Sequence, residues 1–165
     1  MICPGARERL AIAYTISLRK ENTLSESTTQ GGFVAGAPFI KFDGATAYIE
    51  AQRCEACGAV FMKPHVGCPR CCARGPLTKV RGSERGVLQT FTVVMRSFPG
   101  IKVPFVSAIV QMDDGATLKG NLIDVEPNPE KIRVGMPLRL VYGDANGLKD
   151  EAGSPYLAYF FQPAV

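Results

Sequence analysis

From Gly82 onward, apolar and polar positions alternate in short runs separated by turn residues, the period of strands that bury one face. "GVLQTFTVVMRSF" is long and rich in β-branched and aromatic residues, and after the turn "PGIKVP" it is followed by "FVSAIVQM". Asp113-Asp114-Gly115 has the composition of a hairpin turn leading into "ATLKGNLIDV". "EPNPEKIRVG", with Pro127 and Pro129 at its start, reads as a short helical or 3₁₀ connection. "MPLRLVYGD" and "SPYLAYFFQPA" complete the set on either side of the polar loop "ANGLKDEAG". Five strands with one irregular connection, between the third and the fourth, outline an OB-type Greek-key barrel, whose closure removes exposed sheet edges. A five-stranded SH3-like barrel or a small sandwich is the competing arrangement.

Upstream, "PFIKF" and "ATAYIEAQ" flank Asp43-Gly44, a hairpin signal, and this hairpin leads directly into a cysteine-rich segment. Residues 1–37 lack such a pattern: a short helix is expected around Arg7–Leu18, followed by the polar, flexible stretch "ENTLSESTTQGG". The chain thus divides into an N-terminal extension (1–37), a hairpin with a cysteine module (38–81) and a barrel (82–165). The fold class expected is mainly β.

Composition changes this picture little. With 165 residues, 46% of them hydrophobic and 21% charged, the chain can bury a core. No apolar run reaches the roughly 18 residues a membrane span needs, and "LAIAYTISL" is short and broken by "RKEN". A cytoplasmic location is therefore expected, and no membrane partner. Charge is more informative. Residues 52–85 hold Arg53, Lys63, Arg70, Arg74, Lys79, Arg81 and Arg85 against Glu55 and Glu84, more positive charge than the +4 of the whole chain. The rest is close to neutral, so any anionic partner is expected at the cysteine module and its exit.

That module, "QRCEACGAVFMKPHVGCPRCCARG", holds five of the six cysteines and the single histidine. Two C-x-x-C pairs, Cys54/Cys57 and Cys68/Cys71, have the spacing of a zinc ribbon, in which two knuckles on neighbouring hairpins supply four thiolates to one ion. Four sulfurs leave no open coordination position, so one structural Zn²⁺ per chain is expected. Iron, which an S₄ tetrahedron also accepts, is the less favoured ion. A redox dithiol is disfavoured, because it uses one C-x-x-C beside a helix in an α/β setting. His65 reads as a loop residue, although a Cys₃His site or a general base are the readings it invites. Cys72, in a place where a small turn residue is expected, reads as a packed or free thiol, and Cys3 as a free one.

No catalytic constellation is found elsewhere: the barrel region has no histidine, no cysteine, no nucleophile elbow, no phosphate-binding loop and no dinucleotide fingerprint. The expectation is a chain without catalytic residues of its own.

In order, the phrases "QRC..CG", "CPRC", "G.G.V.TFTVV" with "PG…P", "DG…L.GNL.DV" and "I..GMP.RLVY" run from about Gln52 to Phe161. This combination resembles the rubredoxin-like zinc-ribbon/OB family associated with acyl-CoA metabolism. The resemblance implies a non-catalytic accessory subunit that pairs with a thiolase-like or ketosynthase-like catalytic subunit, scaffolds it and helps to bind an acyl-CoA. The hairpin lead-in "GAPFIKFDGATAYIEAQRC" is similar to the small subunit of benzoylsuccinyl-CoA thiolase. The commoner lead-in, a pair of helices, is not found, and "CPRCC" departs from the usual "CPxCG". Under this reading Lys79, Arg81 and Arg85 would hold the CoA phosphates. Phe98, Ile101 and Val103, in a loop with Pro99, Gly100 and Pro104, would contact the partner or line an acyl channel. Phe160 and Phe161 belong to the same set; being adjacent on a strand they must face opposite sides, one of them outward. The alternative is a single-stranded nucleic-acid-binding ribbon/OB protein, which the neutral strands and the absence of tryptophan disfavour.

Overall fold

The computed structural model describes residues 32–44, 46–75 and 77–164. The helix expected at Arg7–Leu18, the polar stretch after it and Cys3 lie outside these residues. The described elements are β1 (Val34–Ala35), β2 (Ile40–Asp43), β3 (Thr46–Cys54), β4 (Val60–Phe61), β5 (Leu77–Arg81), β6 (Arg85–Val94), β7 (Phe105–Met112), β8 (Thr117–Leu122), a 3₁₀ turn (Pro129–Lys131), β9 (Pro137–Lys149) and β10 (Pro155–Pro163). Among the described residues there is no α-helix, and no helix is long and apolar enough to cross a membrane.

Strands β6, β7 and β8 form an antiparallel meander. β10 lies parallel to β8 (Phe161 opposite Leu122) and antiparallel to β9, and β9 returns to pair with β6 (Leu138 opposite Gly86). The circuit β6-β7-β8-β10-β9-β6 is a closed five-stranded barrel with OB connectivity. The sequence period builds it. Along β7 every second residue, Val106, Ala108, Val110 and Met112, is buried, and Leu118 and Leu122 of β8 and Leu138 and Leu140 of β9 face the same interior. Phe161 fills the centre with no exposed surface, whereas Phe160 stands on the outer wall. Gly120 makes this possible: a Cβ there would lie 2.9 Å from the Phe161 ring and 3.0 Å from that of Tyr159.

Three local features depart from the expected pattern. In β6 the pairing passes from Leu88–Val110 to Thr90–Ile109, a bulge that leaves Gln89 as the extra residue. Inward positions therefore change from even to odd numbers, and Phe91 and Val93 join Leu88 against the core. β6 stops at Val94, so "MRSF" belongs to the loop that follows and not to the strand. β9, in contrast, continues through most of the expected loop "ANGLKDEAG" to Lys149, because that stretch pairs with β10 as an irregular hairpin arm. The turn itself is confined to residues 150–153, held by Asp150 Oδ1 accepting from the Ser154 amide at 2.7 Å.

The hairpin β2–β3 forms as expected, with Asp43 the last paired residue of β2, opposite Thr46. β3 then runs on, with its Cys54 end pairing with both β4 and β5. Ile49 and Ala51 of β3 and Val60 and Met62 of the cysteine module belong to one buried cluster with Leu88, Leu138 and Phe161. β1, from the N-terminal extension, adds to the barrel parallel to β10, with Val34 opposite Tyr156. Asp113-Asp114-Gly115 is a turn: Asp114 accepts from the amides of Ser83 (2.8 Å) and Ala116 (3.0 Å).

Phe161→Ala is expected to cost about 3–5 kcal/mol, because the barrel closes around the ring and cannot collapse into its place. Val87→Ala, on the exposed outer face of β6, should stay within about 0.5 kcal/mol. Urea unfolding followed by circular dichroism measures both, and equal losses would contradict the assignment of the inner face.

Candidate metal centre and the barrel clefts beside it

The sulfurs of Cys54, Cys57, Cys68 and Cys71 all lie within 4.8 Å of one another. Cys54 and Cys71 are 3.8 Å apart and Cys57 and Cys68 3.5 Å. Four sulfurs around one ion at about 2.3 Å form a tetrahedron with edges near 3.8 Å, so this donor set fits a metal ion with little rearrangement. Cys54 and Cys68 are buried, Cys57 is half-buried and Cys71 is exposed. The site thus opens to solvent on one side but has no vacant ligand direction.

The two C-x-x-C segments share one backbone design. The Cys54 amide donates to the Ala59 carbonyl (2.9 Å) and the Gly58 amide to the Cys54 carbonyl (2.8 Å). In the second segment, Cys68 donates to Ala73 (3.0 Å) and Cys72 to Cys68 (2.9 Å). The residue after each pair must therefore adopt a left-handed conformation: Gly58 has φ 71° and Cys72 φ 60°. Glycine does this without strain, whereas Cys72 carries a cost of about 1–2 kcal/mol that the surrounding bonds hold in place. Cys72 serves this knuckle through its backbone, and its sulfur is outside the four-sulfur group. The expectation of a packed or free thiol is corrected: Cys72 is disulfide-bonded.

Amide groups also bias the thiols. Burial raises the Cys68 pKa, but the amides of Cys71 and Arg70 outweigh it and lower the group to about 6; the Cys71 amide is 3.4 Å from its sulfur. At Cys57 the amide of Ala59 favours the thiolate, yet desolvation and the three sulfurs around it push the group up to about 12. Sulfurs crowded this closely lose their protons together most readily when a cation takes the protons' place.

His65 is not part of this group. Its amide donates to Gln52 Oε1 (2.9 Å) and its exposed ring stands edge-on to Phe61, centroids 5.3 Å apart. Among the described residues, no acid or nucleophile is hydrogen-bonded to its ring.

The three cations at the ribbon exit do not form one open cradle. Lys79 pairs with Glu50 at 3.1 Å. Arg81 pairs with Glu84 at 3.5 Å and covers the Tyr48 ring at 4.9 Å. Arg85, at the start of β6, makes no ion pair among the described residues. The apolar residues are brought closer together. Phe98 and Ile101 line an open cleft of about 810 Å³ with Pro104 and Phe160, while Phe161 is inside the barrel and unavailable to any partner. Val103 is exposed on the same loop.

Two further clefts adjoin this one. The first, about 550 Å³, shares Phe160, Ser107 and Asn121 with it and reaches Gly36 and Ala37 beside β1. The second, about 600 Å³, lies between barrel and ribbon, with Phe61, Met62 and His65 on one wall and Ile109 and Leu118 on the other. Lys119 borders all three. Sequence reading passed over this lysine. Its only signal is an outward position in the alternation of "TLKGNL", and strand pairing decides which clefts that position meets.

Known proteins share this arrangement. Residues 79–143 match the family profile of the ChsH2 C-terminal OB-fold domain. A DUF35 domain-containing scaffold protein of Pyrococcus furiosus is 30% identical over 115 residues, 68% of this chain and 81% of that protein. The 3-oxo-4,17-pregnadiene-20-carboxyl-CoA hydratase alpha subunit of Mycobacterium tuberculosis is 36% identical over 70 residues, 42% of this chain but only 22% of that protein. Among solved structures, a chain of the Ltp2-ChsH2(DUF35) aldolase superposes with a TM-score of 0.55 at 28% identity, covering 72% of this chain and 86% of that one. With its four-cysteine ribbon joined to an OB barrel, the chain belongs to the family of DUF35 domain-containing scaffold proteins.

Proposed function

We propose that this chain is the non-catalytic, zinc-binding accessory subunit of a thiolase-type acyl-CoA enzyme complex, with a benzoylsuccinyl-CoA thiolase as the specific form. The observation that carries the reading is the likeness, over 72% of this chain, to a chain of the Ltp2-ChsH2(DUF35) aldolase. A hydratase alpha subunit that acts on a CoA thioester contains a related segment. The chemistry of the described residues agrees with a supporting role. The four thiolates form a closed shell, the single histidine has no acid or nucleophile beside it, and the two clefts that share Phe160 are lined mainly by apolar, amide and hydroxyl side chains, with Lys102, Lys119 and Asp124 as the charged groups in them. The catalytic groups therefore belong to a partner, and this chain contributes surface.

Zinc suits the S₄ set because it has no redox chemistry and no geometric demand beyond the tetrahedron the sulfurs already approximate. Cys54, Cys57, Cys68 and Cys71 would hold it, and its contribution is structural. The apolar cleft beside Phe160 suits an acyl-pantetheine arm. Arg85, which makes no ion pair among the described residues, is placed for a CoA phosphate, and Lys79 and Arg81 can add to it by exchanging their carboxylate partners. The complex works on the acyl-CoA pool of the cytoplasm.

Two outcomes are expected. The purified chain should contain one zinc per chain by elemental analysis. Cys54→Ser should lose the metal and lower the melting temperature of the whole chain, since β3 enters the shared core. Acidification should release the ion, because protons compete for the thiolates; retention of full metal content by Cys54→Ser would refute the site. Secondly, the chain alone should show no thiolase turnover, while a co-expressed thiolase-type subunit should bind it and gain activity. A catalytic subunit equally active and stable without this chain would refute the accessory role.

A further inference from the structure

We propose that the loop of residues 95–104 is the face on which the catalytic subunit docks, and that the partner's complementary face is apolar with a rim of carboxylates. The proposal rests on the accessory-subunit reading and adds to it a location and a partner chemistry. Nine large apolar side chains are exposed among the described residues, and four of them, Met95, Phe98, Ile101 and Val103, are on this one loop. The other five are spread over the ribbon, the barrel wall, the β8–β9 connection and the β9–β10 hairpin. Scattered apolar residues need no explanation, but a cluster in which Phe98 is 84% and Met95 67% exposed is costly in water unless something covers it.

Charge selects the occupant. Between Glu84 and Asp113 the chain has no acidic residue, and the loop itself carries Arg96 and Lys102 among its apolar side chains. Neither makes an ion pair among the described residues, where the three ion pairs all lie elsewhere. The acid that lines the cleft, Asp124, already accepts from Gln162 at 2.5 Å. A second copy of this chain would bring like charges together over the same apolar patch, which is unfavourable. A partner with carboxylates around an apolar centre would neutralise both cations and cover the aromatic anchor, the usual arrangement of a central hot spot inside a polar rim. The cleft beneath, with Phe160 on its floor, is continuous with this face, so a partner seated there also closes its mouth.

The test uses the full chain and the co-expressed catalytic subunit. Phe98→Asp with Ile101→Asp should weaken the complex roughly 100-fold or more, as removal of a buried anchor does. Arg96→Glu with Lys102→Glu should slow association roughly ten-fold at low salt, with the difference shrinking at high salt. Val134→Asp serves as the control: it is exposed, and its neighbour Gly135 bonds to Leu88, near the end of β6 opposite the loop, so affinity should not change. A benzoylphenylalanine at position 98 should photo-crosslink to the catalytic subunit and one at position 134 should not, a readout that survives any folding defect of the aspartate variants. Loop variants that bind as tightly as the parent, or crosslinks from 134 alone, would overturn the docking face while leaving the accessory role intact. Sedimentation showing that the chain self-associates through Phe98 would assign the face to a second copy and overturn it too. A parent chain that binds no acyl-CoA enzyme would instead overturn the functional reading beneath it.

Discussion

Strand β3 is the constraint on which the rest of this structure depends. One end of it is Cys54, a member of the sulfur cluster, and further back Ile49 and Ala51 are buried with the barrel residues Leu88, Leu138 and Phe161. Sulfur-cluster geometry and barrel packing are thereby mechanically joined: the knuckle cannot open without pulling a strand whose inner face is already covered. Met62 adds a second tie from the ribbon side, its methyl group within reach of the Gly82 link. A small cysteine module, which on its own has too little apolar surface to fold, borrows the barrel's core, and the barrel gains a fixed platform on one side.

The knuckles show how far backbone demands can be separated from side-chain identity. Each needs a left-handed residue after its cysteine pair so that one amide and one carbonyl can close the turn. Gly58 meets the demand without cost, and Cys72 meets it with some strain. The unusual "CPRCC" ending is therefore a substitution at a conformational position and not a fifth candidate ligand.

The outer surface divides by charge in a way that composition alone conceals. Two of the three cations at the ribbon exit are neutralised within the chain, Lys79 by Glu50 and Arg81 by Glu84, with the Arg81 guanidinium over the Tyr48 ring. Arg96 and Lys102, on the loop whose apolar residues alone drew notice in the sequence, make no ion pair among the described residues and stand beside exposed apolar side chains. The same principle governs Phe160 and Phe161. Strand alternation required that they face opposite ways, but only barrel closure around Gly120 decided that Phe161 takes the interior.

Features set by near neighbours in the chain were legible in the sequence. The C-x-x-C spacing dictated the paired thiols, Asp43-Gly44 a hairpin, and the period-two alternation the strands of the barrel, because each depends on geometry within a few residues. What depended on distant partners was not. The bulge at Gln89 that switches the inner face of β6, the continuation of β9 through "ANGLK", the carboxylates that engage Lys79 and Arg81, and the meeting of three clefts at Lys119 are all settled by strands brought together from remote parts of the chain. The sequence by itself determined most of the strands and the four-thiol donor set. Tertiary structure alone decided which side chains remain unsatisfied at the surface, because cross-strand pairing and burial consume the others.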